Sequence, residues 1–129
     1  MNAGMETKDD MYESLREQLH LDECLRVTSQ EYRAAVSALL ELAFTDSGGS
    51  RFAAQVLLSL YDGDRWQVDL AGVCCGLDSG CLRYVLIALR GRAMLMEEPH
   101  TVVANGDQLF EQLADRWKFL AKPVLESSL

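Results

Sequence analysis

Long hydrophobic runs are missing from this 129-residue chain. The longest purely apolar stretch, Tyr84 to Leu89, is far shorter than the roughly 20 residues that a membrane-spanning helix needs. The first residues, Met1 to Glu6, also lack the apolar core of a secretion signal. These two absences argue against a membrane protein and against a secreted protein with its signal intact, so we expect a cytoplasmic location.

Basic residues are scarce. Twelve lysines and arginines face 20 aspartates and glutamates, which gives a formal net charge of −8 and a pI near 4.6. Such a charge repels phosphate, so direct nucleic-acid binding is not expected. The hydrophobic content of 49% and the presence of only two prolines exclude a disordered or fibrous chain and favour one domain with one core.

Motifs that carry chemistry are absent as well. The chain has neither a G-x-G-x-x-G nor a G-K-[ST] phosphate loop, and it has no G-x-S-x-G nucleophile elbow. The stretch Gly48–Arg51 offers helix-start amides for one anion, but a helix end followed by a helix start is the simpler interpretation. We therefore expect no catalytic residue and no cofactor, and we predict that the protein is not an enzyme.

The cysteines and histidines allow two weak alternatives. A zinc site can be written from Cys74, Cys75, Cys81 and His100. Its spacing matches no known ligand pattern, and small buried thiols are the simpler interpretation, so no metal site is expected. His20 and Cys24 stand four residues apart, which brings them together only if the first helix extends that far.

Apolar residues recur at helical spacing through most of the chain and predict an all-α fold. We expect a single compact domain of five to six helices with short loops over residues 9–122, a frayed segment 1–8 and a tail 123–129. The predicted helices cover about residues 9–20, 28–44, 50–61, 78–93 and 107–122, with a short helix over 100–104 and a short turn of helix over 69–75. The apolar positions of segment 78–93 run nearly all round, which predicts a central buried helix.

Helix ends are marked by specific residue types. The first helix is predicted to start at Asp9 or Asp10, and the second at a capping box formed by Thr28 and Glu31. The later helix starts are predicted at Asp69, at either Asp78 or Ser79, and at Asp107. A glycine of the Gly48–Gly49 pair is expected to provide a left-handed helix end. Two alternatives remain open: a brief strand over residues 66–70, and a hairpin that turns at Asn105–Gly106 between residues 94–96 and 101–104.

The negative charge is unevenly distributed. Residues 1–78 hold 14 acidic and 6 basic side chains, whereas residues 79–129 hold 6 of each, and no carboxylate lies between Asp78 and Glu97. The acidic surface is either a solvated helix face or a docking site for a basic partner. The candidate interaction residues are Asp9, Asp10, Glu13, Glu17, Asp62 and Asp64. The aspartates after residue 61 lack the twelve-residue spacing of a calcium-binding loop.

An ordered series of turn and helix residues between about residues 39 and 117 resembles a small uncharacterised helical family. That family is encoded on plasmids, integrative conjugative elements and genomic islands of proteobacteria. The signature positions are Asp46, Ser47, Gly48, Tyr61, Gly63, Asp69, Leu70, Asp78, His100, Asn105, Gly106 and Trp117. The resemblance implies a mobile-element origin and no catalytic residue.

The leading hypothesis is a non-catalytic acidic accessory protein that binds another macromolecule. One version is an inhibitor of a host defence or nucleic-acid-handling complex, with the acidic surface in a basic groove of a protein partner. The alternative is a regulatory or DNA-associated module that uses Arg83, Arg90 and Arg92 as a local basic face. A metal-binding protein or enzyme is a third hypothesis, and a homodimer is compatible with all of them.

Overall fold

The computed structural model describes residues 7–123, and over that range the chain is all-α, as predicted. Its helices are α1 Lys8–Leu25, α2 Ser29–Ala43, α3 Ser50–Tyr61, α4 Leu70–Gly76, α5 Ser79–Leu95 and α6 Gly106–Arg116, with short 3₁₀ helices at Pro99–Thr101 and Lys118–Leu120. The predicted frayed segment 1–8 and tail 123–129 fall almost entirely outside the described residues.

Three predicted helix starts are confirmed by their hydrogen bonds. The Thr28 hydroxyl accepts from the Glu31 amide at 3.0 Å, and the Glu31 carboxylate accepts from the Thr28 amide at 2.9 Å. The carboxylates of Asp69 and Asp78 each accept from the amide three residues further on, at 3.0 and 2.8 Å. These bonds satisfy amide donors that have no partner inside the helix, which is why the starts are readable from local sequence.

The predicted start of α1 is wrong by two or three residues. Thr7, rather than Asp9 or Asp10, is the N-cap residue. The Thr7 hydroxyl accepts from the Asp10 amide at 3.2 Å, and the Asp10 carboxylate accepts from the Thr7 amide at 3.3 Å. Aspartate therefore completes a capping box from the third helical position, where glutamate is the more usual partner.

Two other predicted helix ends are also corrected. The N-cap residue of α6 is Asn105, which takes the left-handed conformation (φ 58°), so Asp107 lies inside the helix. The C-cap residue of α2 is Phe44 in the right-handed helical conformation. Neither glycine of the Gly48–Gly49 pair has the positive φ expected of a left-handed helix end.

Neither β alternative occurs in the part of the chain that the structure describes. Residues 66–69 form an irregular connector between α3 and α4. Residues 94 and 95 are the last two residues of α5, and residue 101 is the last residue of the 3₁₀ helix Pro99–Thr101. The predicted hairpin between residues 94–96 and 101–104 is therefore wrong. Among the non-glycine residues of the range 7–123, Met96 and Asn105 alone have a positive φ, of 56° and 58°.

The core is built on the contact between α2 and α5, with α3 packed against α2. The α2 side chains predicted to share one stripe are all buried, namely Tyr32, Val36, Leu39, Leu40 and Ala43. The Tyr32 ring lies directly over Gly91, where an added Cβ would be 2.2 Å from a ring carbon. The Tyr32 hydroxyl donates to the Glu97 carbonyl at 2.7 Å, and burial raises the pKa of Tyr32 to about 12.

The α6 helix and the segment after it close the other side of the core. Phe110 and Leu113 of α6 are fully buried, and Trp66 from the α3–α4 connector is 2% exposed. Trp117 is half-buried, and its indole N–H donates to the Ala43 carbonyl at 3.1 Å. Both tryptophans are anchors, as a large aromatic with one polar atom is expected to be.

The prediction that α5 is buried all round is wrong for one face. Its buried residues are Val85, Ile87, Ala88 and Gly91. Leu86 and Leu89 are 48% and 43% exposed because α2 and α3 reach only the edges of that side of the helix, where their residues line grooves beside the two leucines. Hydrophobic residues around a helix show what it is able to bury, whereas the neighbouring elements decide what is buried.

Gly106 provides a test of close backbone packing. A Cβ added there would lie 1.7 Å from the His100 carbonyl oxygen, whereas a Cβ added to Gly48 would meet nothing within 4 Å. We predict that Gly106→Ala lowers the free energy of unfolding by about 3 kcal/mol or more, although alanine is the better helix former. Chemical denaturation monitored by circular dichroism measures it. Gly48→Ala is the control, and an equal loss in both variants would contradict the prediction.

Asp78 provides a test of pH dependence. Hydrogen bonds from the amide and the thiol of Cys81 lower the pKa of Asp78 below the ordinary 3.8. Because the pKa of Asp78 is lower in the folded state than in the unfolded state, its ionised carboxylate stabilises the fold. This stabilisation is complete above pH 3.8 and is lost as the pH falls through the folded-state pKa. Asparagine caps helices but does not titrate. We therefore predict that Asp78→Asn melts below wild type at neutral pH and that the gap closes between about pH 5 and about pH 2. Glu41→Gln, at an exposed site that caps no helix, is the charge control.

Candidate interaction surface

The α1 helix carries the four strongest candidate residues, and all of them are exposed. Successive residues of a helix are rotated by about 100°, which places Asp9, Glu13 and Glu17 along one side of α1. We call these three residues the acidic face. Asp10 borders it, but its carboxylate is engaged in the bond to the Thr7 amide. The acidic face has neighbours of like charge at i and i+4, which repel each other mildly.

The remaining two candidates lie on a different element. Asp62 is the C-cap residue of α3, and its carboxylate accepts from the Asp64 amide at 3.2 Å. Asp64 is exposed in the turn that follows. Both residues thus shape the α3–α4 connector, and neither belongs to the helix that carries the acidic face.

The other side of α1 is apolar and equally exposed. Six large side chains, between 45% and 61% exposed, occupy the other half of the helix, with Tyr12 at the edge nearest Asp9 and Leu21 at the edge nearest Glu17: Met11, Tyr12, Leu15, Leu19, Leu21 and Leu25. We call them the apolar stripe. No residue of α1 is buried, although the helix passes close to α5. The helical spacing of Tyr12, Leu15 and Leu19 was visible in the sequence, whereas their exposure was not.

The more exposed side of α5 forms a second surface, for which the sequence indicated the arginines but not the exposed apolar residues beside them. Leu86, Leu89 and Met94 are 41% to 48% exposed there, beside the exposed Arg83 and Arg90. We call these five residues the α5 outer face. A groove of about 320 Å³ runs along part of it and is lined by Glu31, Ser79, Leu82, Arg83, Leu86, Ile87 and Arg90. The absence of carboxylates from the α5 sequence was the signal that marked this region.

The three arginines of the DNA-binding alternative do not share one face. Arg83 and Arg90 are two helical turns apart and lie on the same side of α5. Arg92 is rotated by about 200° from Arg90, is half-buried, and acts electrostatically on Tyr32 in the core. A basic surface on α5 therefore consists of two arginines.

Glu31 lies in the first turn of α2 and lines the same groove as Arg83 and Arg90. Hydrogen bonds with Thr28 lower the pKa of Glu31, and the positive charges of Arg83 and Arg90 add to this effect. Glu31 therefore stays ionised and partly offsets the positive charge of the groove. A ligand that contacts the arginines from solvent still meets their exposed side.

The first group of signature residues joins α2, α3 and α6. Arg116 donates to the Asp46 carboxylate at 2.7 Å, which ties the end of α6 to the α2–α3 turn. The Ser47 carbonyl accepts from both the amide and the hydroxyl of Ser50, at 3.2 and 2.7 Å. Gly48 is exposed, and nothing in the structure explains glycine at that position.

The same turn accounts for the candidate anion stretch. Gly49 is the N-cap residue of α3 and makes no side-chain cap bond. Ser50 is buried and bonded to the preceding turn, while Arg51 is exposed and lies 4.8 Å from the ring of Phe52. The stretch is a helix end followed by a helix start.

A second group of signature residues marks the α3–α5 region. Asp69 and Asp78 are the N-cap residues of α4 and α5. The Gly63 carbonyl accepts from the Lys122 ammonium group at 3.0 Å, which draws the end of the described chain towards the turn after α3. Leu70 differs from the others because it is 64% exposed and contributes little to the core.

The third group surrounds the start of α6. Tyr61 packs edge-on against His100, with ring centroids 4.9 Å apart, and against Phe110 at 5.2 Å. Asn105 takes a left-handed conformation, and Gly106 is buried against the His100 backbone. Together with Trp117, these residues hold α6 on α3, so the signature describes a scaffold for the most part.

The cysteines and histidines form no dense cluster. Among residues 7–123, no group of three or more His, Cys, Asp or Glu side chains is placed to hold a metal ion. The α1 helix does extend far enough to pair His20 with Cys24, whose Nε2 and Sγ atoms are 4.0 Å apart at an exposed site. Cys74 and Cys75 are exposed, and burial raises the pKa of the half-buried Cys81.

No helix within residues 7–123 is both long enough and apolar enough to cross a membrane. The exposed surfaces described above differ in their chemistry: an acidic face, an apolar stripe and a basic-apolar outer face on α5. The α5 outer face lies on a helix whose other side is buried, whereas the acidic face and the apolar stripe lie on α1, which starts with a capping box.

Comparison with known proteins identifies the family to which most of the chain is similar. The model of a family of unknown function, DUF7673, matches residues 33–118, which run from within α2 to just beyond α6. The match includes every signature position and leaves α1 outside. No curated protein and no solved structure matches the chain. Since the family model covers well over half of its length, the chain belongs to the family of unknown function DUF7673.

Proposed function

We propose that this protein is a non-catalytic accessory protein that binds a basic protein partner through the acidic face of α1. A mobile genetic element is the proposed source of the gene, which rests on the resemblance of the signature residues. A concrete version is an inhibitor that occupies a basic groove in a host defence or nucleic-acid-handling complex in the cytoplasm. No residue is assigned a catalytic role.

The observation that carries the proposal is a self-repelling acidic face on a helix with no buried residue. The α1 sequence holds six carboxylates against Lys8 and Arg16. Asp9, Glu13 and Glu17 follow one another at i and i+4, a spacing that destabilises an isolated helix. A partner that brings lysine or arginine side chains to this face relieves the repulsion and gains complementary charge.

The position of α1 also supports the proposal. The family match begins at residue 33, within α2, and includes most of the core residues of α2, α3, α5 and α6 and none of α1. The α1 helix adds little to that core, so its sequence is free to vary with the partner. Charge on such a helix mainly affects the rate of encounter and the choice of partner.

The alternative function is a DNA-associated module that uses Arg83, Arg90 and Arg92. Arg83 and Arg90 share an exposed side of α5, which is the observation in its favour. The position of Arg92 on the other side of the helix and the net charge of −8 weigh against it. Titration with duplex DNA at low salt, where phosphate contacts are strongest, distinguishes the two functions.

The acidic-face proposal predicts a specific charge dependence. We expect captured partners from a bacterial lysate to be basic proteins whose binding to the purified wild-type protein weakens steadily with salt. The triple variant Asp9→Asn/Glu13→Gln/Glu17→Gln, which keeps side-chain size, should bind at least about tenfold more weakly. Isothermal titration at three salt concentrations measures both effects.

The matched control removes three carboxylates elsewhere. Glu41→Gln/Glu111→Gln/Asp115→Asn alters exposed positions on α2 and α6 and leaves α1 intact. This variant should bind within about twofold of wild type, because long-range charge is screened at physiological salt. Binding that does not respond to salt, or an equal loss in both triple variants, would overturn the acidic-face proposal.

A further inference from the structure

The apolar stripe of α1 is large enough to indicate that another surface covers it. Six large side chains that are each roughly half exposed present on the order of 600 Å² of apolar surface, the upper end of the largest patch on a typical monomer. Most helical stability in proteins comes from packing of an apolar face, and α1 has no buried residue. Its capping box and its charge pattern do not by themselves explain a helix of this length.

The α5 outer face is a surface of matching length and opposite character. At about 1.5 Å per residue, the 18 residues of α1 and the 17 residues of α5 span nearly equal distances. The α5 outer face offers Leu86, Leu89 and Met94 for apolar contact. The α5 helix holds no carboxylate, and the two arginines of this face outnumber the one carboxylate beside them, Glu31 of α2.

Charge complementarity connects the two surfaces. Asp22 lies within the arc of the apolar stripe, and Glu23 borders it. Arg83 and Arg90 border the exposed leucines of α5 in the same way. Packing the apolar stripe on the α5 outer face therefore brings opposite charges together as it buries leucines on both sides.

Within one chain these surfaces do not cover each other, because the stripe and the α5 outer face both remain exposed. We infer that the occupant is a second copy of this chain: α1 of each protomer packs its apolar stripe on the α5 outer face of the other. The contact is reciprocal, as two-fold symmetry requires. Two such contacts bury more than the roughly 1,200 Å² at which stable interfaces begin.

The dimer goes beyond the proposed function and is independent of it. Asp9 and Glu13 lie on the side of α1 opposite the apolar stripe, so they stay open to solvent in the dimer. The dimer presents two acidic faces to a basic partner. Failure of one proposal leaves the other in place, since the variants that test them change different residues.

The first test is the oligomeric state. Sedimentation equilibrium of the wild-type chain should give a dimer of twice 14.4 kDa at low micromolar concentration. Leu15→Ser/Leu19→Ser should weaken dimerisation at least about tenfold, since both side chains are central in the stripe. Phe119→Ser removes an exposed aromatic from outside both surfaces and should dimerise like wild type. A wild-type monomer at about 100 µM would overturn the proposal, because a stable interface of this size binds more tightly.

The second test is a charge exchange between protomers. Arg83→Glu/Arg90→Glu and Asp22→Lys/Glu23→Lys should each dimerise poorly alone, because both of their reciprocal contacts juxtapose like charges. An equimolar mixture should form heterodimers, in which one contact is wild type and the other has its charges exchanged. A dimer formed by α1 against α1 would survive the arginine variant, and a contact within one chain would not respond to mixing. Either result would reject the proposed arrangement.

Discussion

The contact between Tyr32 and Gly91 determines how the rest of the scaffold is arranged. The missing side chain at Gly91 lets the tyrosine ring lie against the α5 backbone, and the phenol reaches the Glu97 carbonyl beyond the end of that helix. This contact sets the approach of α2 and α5 and directs one side of α5 inward. The opposite side of α5 is left with exposed leucines and arginines because α2 and α3, which pack against α5, reach only the edges of that side.

The family signature has a physical meaning in this arrangement. Asp46 is paired with Arg116, Trp117 donates to the Ala43 carbonyl, and Gly106 lies against the His100 backbone. Such contacts join the ends of helices that are distant in sequence. They describe a scaffold whose role is to hold α5 and α6 in place, while α1 lies outside the family match and carries the exposed acidic and apolar residues. A binding function that resides in α1 is consistent with this division.

Local chemistry explains which predictions are confirmed. The Thr28–Glu31 box and the caps at Asp69 and Asp78 involve bonds that span three residues, so a short stretch of sequence contains both partners. The start of α1 was misplaced because Asp10 completes a box from within the helix rather than capping it. The acidic candidates on α1 are exposed as expected, and Asp62 and Asp64 lie after α3, between the predicted helical segments 50–61 and 69–75, so they do not extend the acidic face.

The sequence by itself determined the all-α class, most helix boundaries and the concentration of negative charge on the first helix, because these depend on periodicity, local caps and composition. Only the tertiary structure decided which apolar faces find a partner. The residues of α1 and of α5 have equally regular spacing, yet α5 buries one face and α1 buries none. Burial depends on elements that are remote along the chain, and a helical pattern carries no record of whether such an element lies opposite it.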